Sequence, residues 1–245
     1  MKFVTATLAI FAALMCPCTA QADSAADQLL SAANTFVDFP SSVTDMQMHV
    51  YRDGTLETEY VMKVQRLDAQ HMRIEFTSPA TEKGRKLLRV GEKLFMFLPD
   101  LGKSIVISAR QSFLGTSFSN GDLLRTDLVA DYTPALLREE TLSGVETQVL
   151  ELKARGPDVT YDRILMWIDK GSKRPLREEF YTLSGKRIKS IEYSKPVQFG
   201  ALLVSSEITV ESDLNKHERT QLDITSLKTG ETLPISYFQK DSFAR

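Results

Sequence analysis

The side chains able to act as ligands, nucleophiles or proton carriers are few and dispersed in this 245-residue chain. Its three histidines, His49, His71 and His217, stand in no spacing that would gather them on one metal. Met46-Gln47-Met48-His49 offers soft donors, but strand alternation puts Met46 and Met48 on one face and His49 on the other, so core methionines are the better reading. No G-x-S-x-G elbow and no glycine-rich phosphate loop occurs. Asp and Glu are plentiful but fall on polar strand positions, where solvation explains them. These absences argue against an enzyme and imply no cofactor and no metal.

One basic cluster, Lys83, Arg85, Lys86 and Arg89, could meet an acidic headgroup or partner. Alternation lets Arg85 and Arg89 share a face while Lys86 points away, and Glu82 and Glu92 weaken the local field. A solvated strand edge is the competing reading. Overall charge is nearly balanced, with 30 Lys and Arg against 32 Asp and Glu. That balance disfavours nucleic acid or a strongly anionic membrane as the main partner.

The first residues read as an export signal. Lys2 is the basic start, Phe3 to Met15 is an apolar run, and Ala20-Gln21-Ala22 is the small-x-small cleavage pattern. The run is too short to span a bilayer, which takes about 20 residues, so the chain is expected not to be membrane-embedded. Cys16 and Cys18 follow Met15 and Pro17 rather than the small residue that precedes a lipid-modified cysteine. Cleavage after Ala22 is therefore expected, and it would remove both cysteines and leave residues 23–245 as a single domain in the periplasm.

The elements behind the signal are mostly strands. Asp23 to Asp38 has a helical apolar stripe that Pro40 stops. Met46, Met48 and Val50 then alternate with polar residues, Asp53-Gly54 turns, and Tyr60, Met62 and Val64 continue the pattern. Further strands are expected at 72–76, 85–90, 93–98, 103–107, 137–142, 146–153, 161–168, 176–181, 187–193, 201–212 and 217–224. Arg110 to Tyr132 reads as a loop with a short helix over 122–129, and 234–243 as a helical tail. Roughly a dozen strands joined by short turns make an antiparallel meander with no βα alternation.

Leu94 to Leu98 and Ile164 to Ile168 are apolar on both faces and so need cover on both. The fold class expected is mainly β with α: a strongly curved antiparallel sheet wrapped around helices. Its interior could be filled by its own side chains or could hold an apolar ligand, and periodicity does not separate the two.

The chain also resembles the LolA-like family of periplasmic outer-membrane lipoprotein-sorting proteins, in particular its longer subgroup. The resemblance is carried by Gly84 to Gly91, Leu94 to Lys103, Ser112 to Gly115, Phe118 to Leu123, Trp167-Ile168-Asp169, Pro175-Leu176-Arg177, Phe180-Tyr181 and Ser184-Gly185-Lys186. It implies an incomplete β-barrel closed by helices, without catalysis, whose apolar cavity takes the acyl chains of a lipoprotein or lipid in transit toward the outer membrane. An inner-membrane transporter is a further partner it suggests.

Within that frame the expected cavity lining is Tyr60, Met62, Phe76, Phe95, Phe97, Met166 and Trp167, with the opposite strand faces as the alternative. Leu114 and Phe118 are the expected lid or mouth. The rival function is a non-carrying periplasmic adaptor or structural binding module of an inner-membrane lipid exporter.

Overall fold

The helix α1 (Thr19–Asn34) buries Ala26, Leu29, Leu30 and Ala33, a stripe spaced three and four apart that one helix face can present to an apolar surface. It packs against strand β7 (Tyr132–Leu142) and the short helix α3 (Leu128–Asp131). The computed structural model describes residues 19–124 and 127–240. Most of the expected export signal, with Cys16 and Cys18, lies outside the described residues, as do residues 241–245, which include the end of the expected helical tail.

The strands follow the alternation in the sequence. A first meander comprises β1 (Ser42–Arg52), β2 (Thr55–Asp68), β3 (His71–Ser78), β4 (Lys86–Val90), β5 (Lys93–Leu98) and β6 (Lys103–Ile107). A second comprises β7, β8 (Val145–Ala154), β9 (Arg163–Asp169), β10 (Pro175–Tyr181), β11 (Arg187–Phe199), β12 (Leu202–Ser212) and β13 (Glu218–Thr229). Antiparallel pairing of β1 with β13, with Met48 opposite Leu222, joins them into one 13-stranded sheet.

The sheet is open, which corrects the expectation of a strongly curved sheet forming an incomplete β-barrel. The strand order runs from β6 at one edge to β7 at the other, and these two do not pair. The edges themselves resist further pairing. On β7, Pro134 lacks a donor, the register shifts between Leu136 and Arg138, and Arg138, Glu139 and Glu140 add charge. β6 has only 5 residues and begins with a lysine.

Cover on the apolar face therefore comes from chain segments rather than from closure of the sheet. The connection between the two edges lies over that face in its described parts, 108–124 and 127–131. They include α2 (Asn120–Leu124) and α3 in place of the single helix expected over 122–129. Phe113 stacks on Phe76 of β3, and buried Arg89 of β4 donates to the Leu124 carbonyl at 3.2 Å.

The two-faced strands are covered on both sides as their composition requires. Leu94 joins the main core, whereas Phe95 and Phe97 pack with Leu88 beneath Phe238 of a short 3-10 turn, Ile235–Phe238, within the range of the expected helical tail. Ile164, Met166 and Ile168 join the main core, whereas Leu165 and Trp167 pack with Val149 on the far face. There the guanidinium groups of Arg138 and Arg177 lie 5.8 and 5.9 Å from the Trp167 ring and complete its cover.

Candidate functional site

Between the apolar face and its cover is a cavity of about 170 Å³. Alternation aims Met46 of β1, Met62 and Val64 of β2, Met72 and Ile74 of β3 and Leu222 of β13 into it. Phe36, Val37 and Phe39, just past α1, form part of its wall, as do Phe118, Leu123 and Leu128 from the covering connection. The flexible thioethers of Met46, Met62 and Met72 suit a surface that must fit chains of variable shape.

Two tethers hold the cover. Arg66 of β2, buried on the cavity wall, forms an ion pair with Asp38 in the segment after α1. Burial pushes the Arg66 guanidinium down and the Asp38 carboxyl up from their ordinary values. On the other side Asp122 of α2 forms a buried ion pair with Lys189 of β11. Tyr161 donates to Asp122 Oδ1 at 2.8 Å and lies 3.0 Å from Ser119 Oγ, and burial and the Asp122 charge hold its phenol well above the usual range. The Lys189 ammonium also lies 5.0 and 5.2 Å from the centres of the Tyr161 and Phe180 rings.

Glu178 of β10 and Tyr193 of β11 line the cavity from the same face of adjacent strands. Burial, reinforced by the Asp122 charge, pushes the Glu178 carboxyl up to about 7, against the opposing influence of Tyr193 and Lys189. Burial likewise raises the Tyr193 phenol well above its ordinary value. Below about pH 7 the carboxyl keeps its proton, so the cavity wall then carries a neutral acid near the Asp122–Lys189 ion pair.

A LolA superfamily protein from Nitrosomonas europaea superposes with a TM-score of 0.80 at 29% identity, over 89% of this chain and 98% of that one. The chain is a structural homologue of the LolA superfamily. A domain from Vibrio parahaemolyticus, designated an outer membrane lipoprotein-sorting protein, shares the fold with a TM-score of 0.80 at 20% identity, over 92% of this chain and 99% of that one. A DUF1329 family protein from Desulfovibrio piger does so with a TM-score of 0.80 at 21% identity, over 91% and 99%. A family model described as "Uncharacterized protein" matches residues 68–245, and the chain is a member of that family. No curated protein matches the chain.

In this LolA-like protein the residues singled out from sequence are distributed over three places. Met62 and Phe118 are on the cavity wall. Tyr60, Phe76, Met166 and Leu114 belong to the surrounding core: Tyr60 meets Phe76 edge-on at 5.9 Å, and Leu114 packs in the covering loop with a left-handed φ of 51°. Phe95, Phe97 and Trp167 are on the opposite face of the sheet.

The basic cluster is not a solvated edge: Lys86 and Arg89 are buried, Lys86 lies 5.6 Å from the centre of the Phe97 ring, and Arg85 pairs with Glu82 at 2.6 Å. The histidines stay apart, each beside a carboxylate of its own neighbourhood, such as His71 with Asp68 at 2.9 Å. Among the described residues no group of three or more His, Cys, Asp or Glu is placed to hold a metal.

Glu178, Lys189 and Tyr193 were not among the expected site residues, although strand phase points to them. Glu178 is in phase with the apolar Phe180, and Lys189 is in phase with Ile191 and Tyr193, so each charge falls on the face that must be buried. No comparable signal marks Phe36, Val37 and Phe39, because they follow the helix in a segment with no period.

Proposed function

We propose that this LolA-like protein is a periplasmic carrier that takes acyl chains of lipids or lipoproteins into the cavity on the way toward the outer membrane. In this reading residues 1–22 direct export and are removed, and residues 23–245 work as one non-catalytic domain. The observation that carries the reading is a methionine-rich apolar cavity between an open sheet face and a cover tethered at Arg66–Asp38 and Lys189–Asp122. The superfamily relationship supports it.

Transfer of an acyl chain from water to such a wall is favourable by about 0.8 kcal/mol for each CH₂ buried. The volume of about 170 Å³ is near that of an engineered cavity of about 150 Å³ that accepts benzene, and below the usual ligand-pocket range of about 300–1,000 Å³. A whole chain therefore enters only if Phe36, Phe39 and Phe118 give way, and loading and release become movements of the cover. The small volume also favours a second reading, a non-carrying adaptor of an inner-membrane lipid exporter, with no cargo and an unmoving cover.

Titration with a fluorescent acyl probe separates the two. Ile208 of β12 is half-buried on the cavity wall, so Ile208→Trp should fill the space and abolish saturable probe binding while the thermal unfolding transition persists. Probe binding that is equal in the two proteins, or absent from the unaltered one, would count against carriage.

A further inference from the structure

An apolar container needs no acid, yet two line this cavity: Asp122, ion-paired with Lys189, and Glu178. Glu178 and Tyr193 project from the same face of the adjacent strands β10 and β11 into the same space. A buried carboxyl is unfavourable unless its polar atoms are matched, and replacing both partners by apolar groups of the same shape is often neutral or stabilising. Nothing in the fold requires the pair, because Met46, Met62, Ile191 and Leu222 line the cavity without polar help.

Resting on the carrier reading, we infer that Glu178 and Tyr193 form a polar anchor for the carbonyl of an ester- or amide-linked acyl chain. Tyr193 donates its hydroxyl hydrogen to Glu178, and the protonated Glu178 carboxyl donates its own to the ligand carbonyl oxygen. The acyl tail then runs along the methionine-lined wall of β1 to β3, so the anchor sets the depth at which the chain stops.

The charges around the pair favour a neutral carbonyl over a carboxylate. Asp122 raises the proton affinity of Glu178, and the Lys189 ammonium is already paired with Asp122. An ionised fatty acid would bring a further negative charge to the same place, whereas an ester or amide brings only an acceptor. The shared chemistry is the acyl carbonyl, and the source selected is the linked form found in glycerolipids and lipoproteins.

Competition against the apolar fluorophore N-phenyl-1-naphthylamine tests this with methyl decanoate, decyl methyl ether, which lacks the carbonyl, and sodium decanoate, all at pH 6, where Glu178 keeps its proton and decanoate is ionised. The ester should bind about 3- to 10-fold more tightly than the ether, the range for one net hydrogen bond, and more tightly than decanoate. In Glu178→Leu the ester-to-ether ratio should fall to about 1, and in Glu178→Gln, whose amide still donates, most of it should remain.

The ratio is the readout, so a general loss of affinity does not imitate the effect. Equal binding of ester and ether by the unaltered protein would overturn the anchor and leave carriage standing. Tighter binding of decanoate would overturn the choice of linked acyl groups. Failure of the fluorophore and all three ligands to bind would overturn the anchor together with the carrier reading.

Discussion

Replacing Glu178 by glutamine should stabilise the protein, and the gain should depend on pH. In the unfolded chain the carboxyl loses its proton near 4.5, whereas in the folded protein it keeps it to about 7. Between those values the folded state binds more protons than the unfolded state, so this group lowers stability as pH rises through the interval. At about 1.36 kcal/mol per pH unit, the interval from 4.5 to about 7 corresponds to about 3 kcal/mol, fully felt only above pH 7. Glutamine has the same shape, still accepts from Tyr193 and does not titrate.

Urea unfolding followed by the fluorescence of Trp167, the single tryptophan, measures the difference. The paired carboxylates that contribute in the opposite sense, such as Asp213 with Arg187 and Glu140 with Arg138, are common to both proteins and cancel. The variant should exceed the unaltered protein by less than about 1 kcal/mol near pH 5 and by about 3 kcal/mol at pH 8.5. A difference that does not change with pH, or a variant less stable at pH 8.5, would refute the placement of Glu178 in an apolar cavity.

Other substitutions probe the cover. In Gly121→Ala the new Cβ would lie 2.7 Å from Thr160 Oγ1 and 3.2 Å from the Ala109 carbonyl oxygen, so α2 should be displaced at a cost of about 1–3 kcal/mol, read by denaturant unfolding. Asp38→Asn weakens the tie to buried Arg66. Because Asp38 is partly exposed, the loss should fall at or below the low end of the about 3–5 kcal/mol range for broken buried pairs, with faster amide hydrogen exchange in residues 35–41. Leu150→Ala in β8, inside the core and away from the cavity wall, should cost about 2–5 kcal/mol without changing the ester-to-ether preference.

The meander was legible because one face of nearly every strand must be buried, and Met46, Met48 and Val50 or Met72, Ile74 and Phe76 carry that period openly. The start of β7 was not, since Tyr132, Thr133 and Pro134 carry no alternation and Pro134 is tolerated only because the strand is an edge. Openness was hidden for a related reason: apolar alternation reports that a face is covered, not by what. Leu94 to Leu98 and Ile164 to Ile168 correctly demand two covers, but Phe238 and the Arg138 and Arg177 side chains provide the second one in place of another layer.

The cavity wall was legible only in part. Met62 was accessible from the period, whereas choosing between Phe95 and its neighbour Met96 required knowing which face of β5 looked toward the cover. Glu178 and Lys189 were readable in principle as charges in apolar phase. Their value as a signal is greater than that of the aromatic residues, because a buried charge needs a reason and a buried phenylalanine does not.

Native mass spectrometry of the protein purified gently from the periplasm, with extraction and analysis of any bound lipid, tests carriage most directly. The account predicts a population with an acyl-containing molecule bound, displaced in Ile208→Trp. Uniformly ligand-free protein that also fails to bind the fluorescent acyl probe would contradict it.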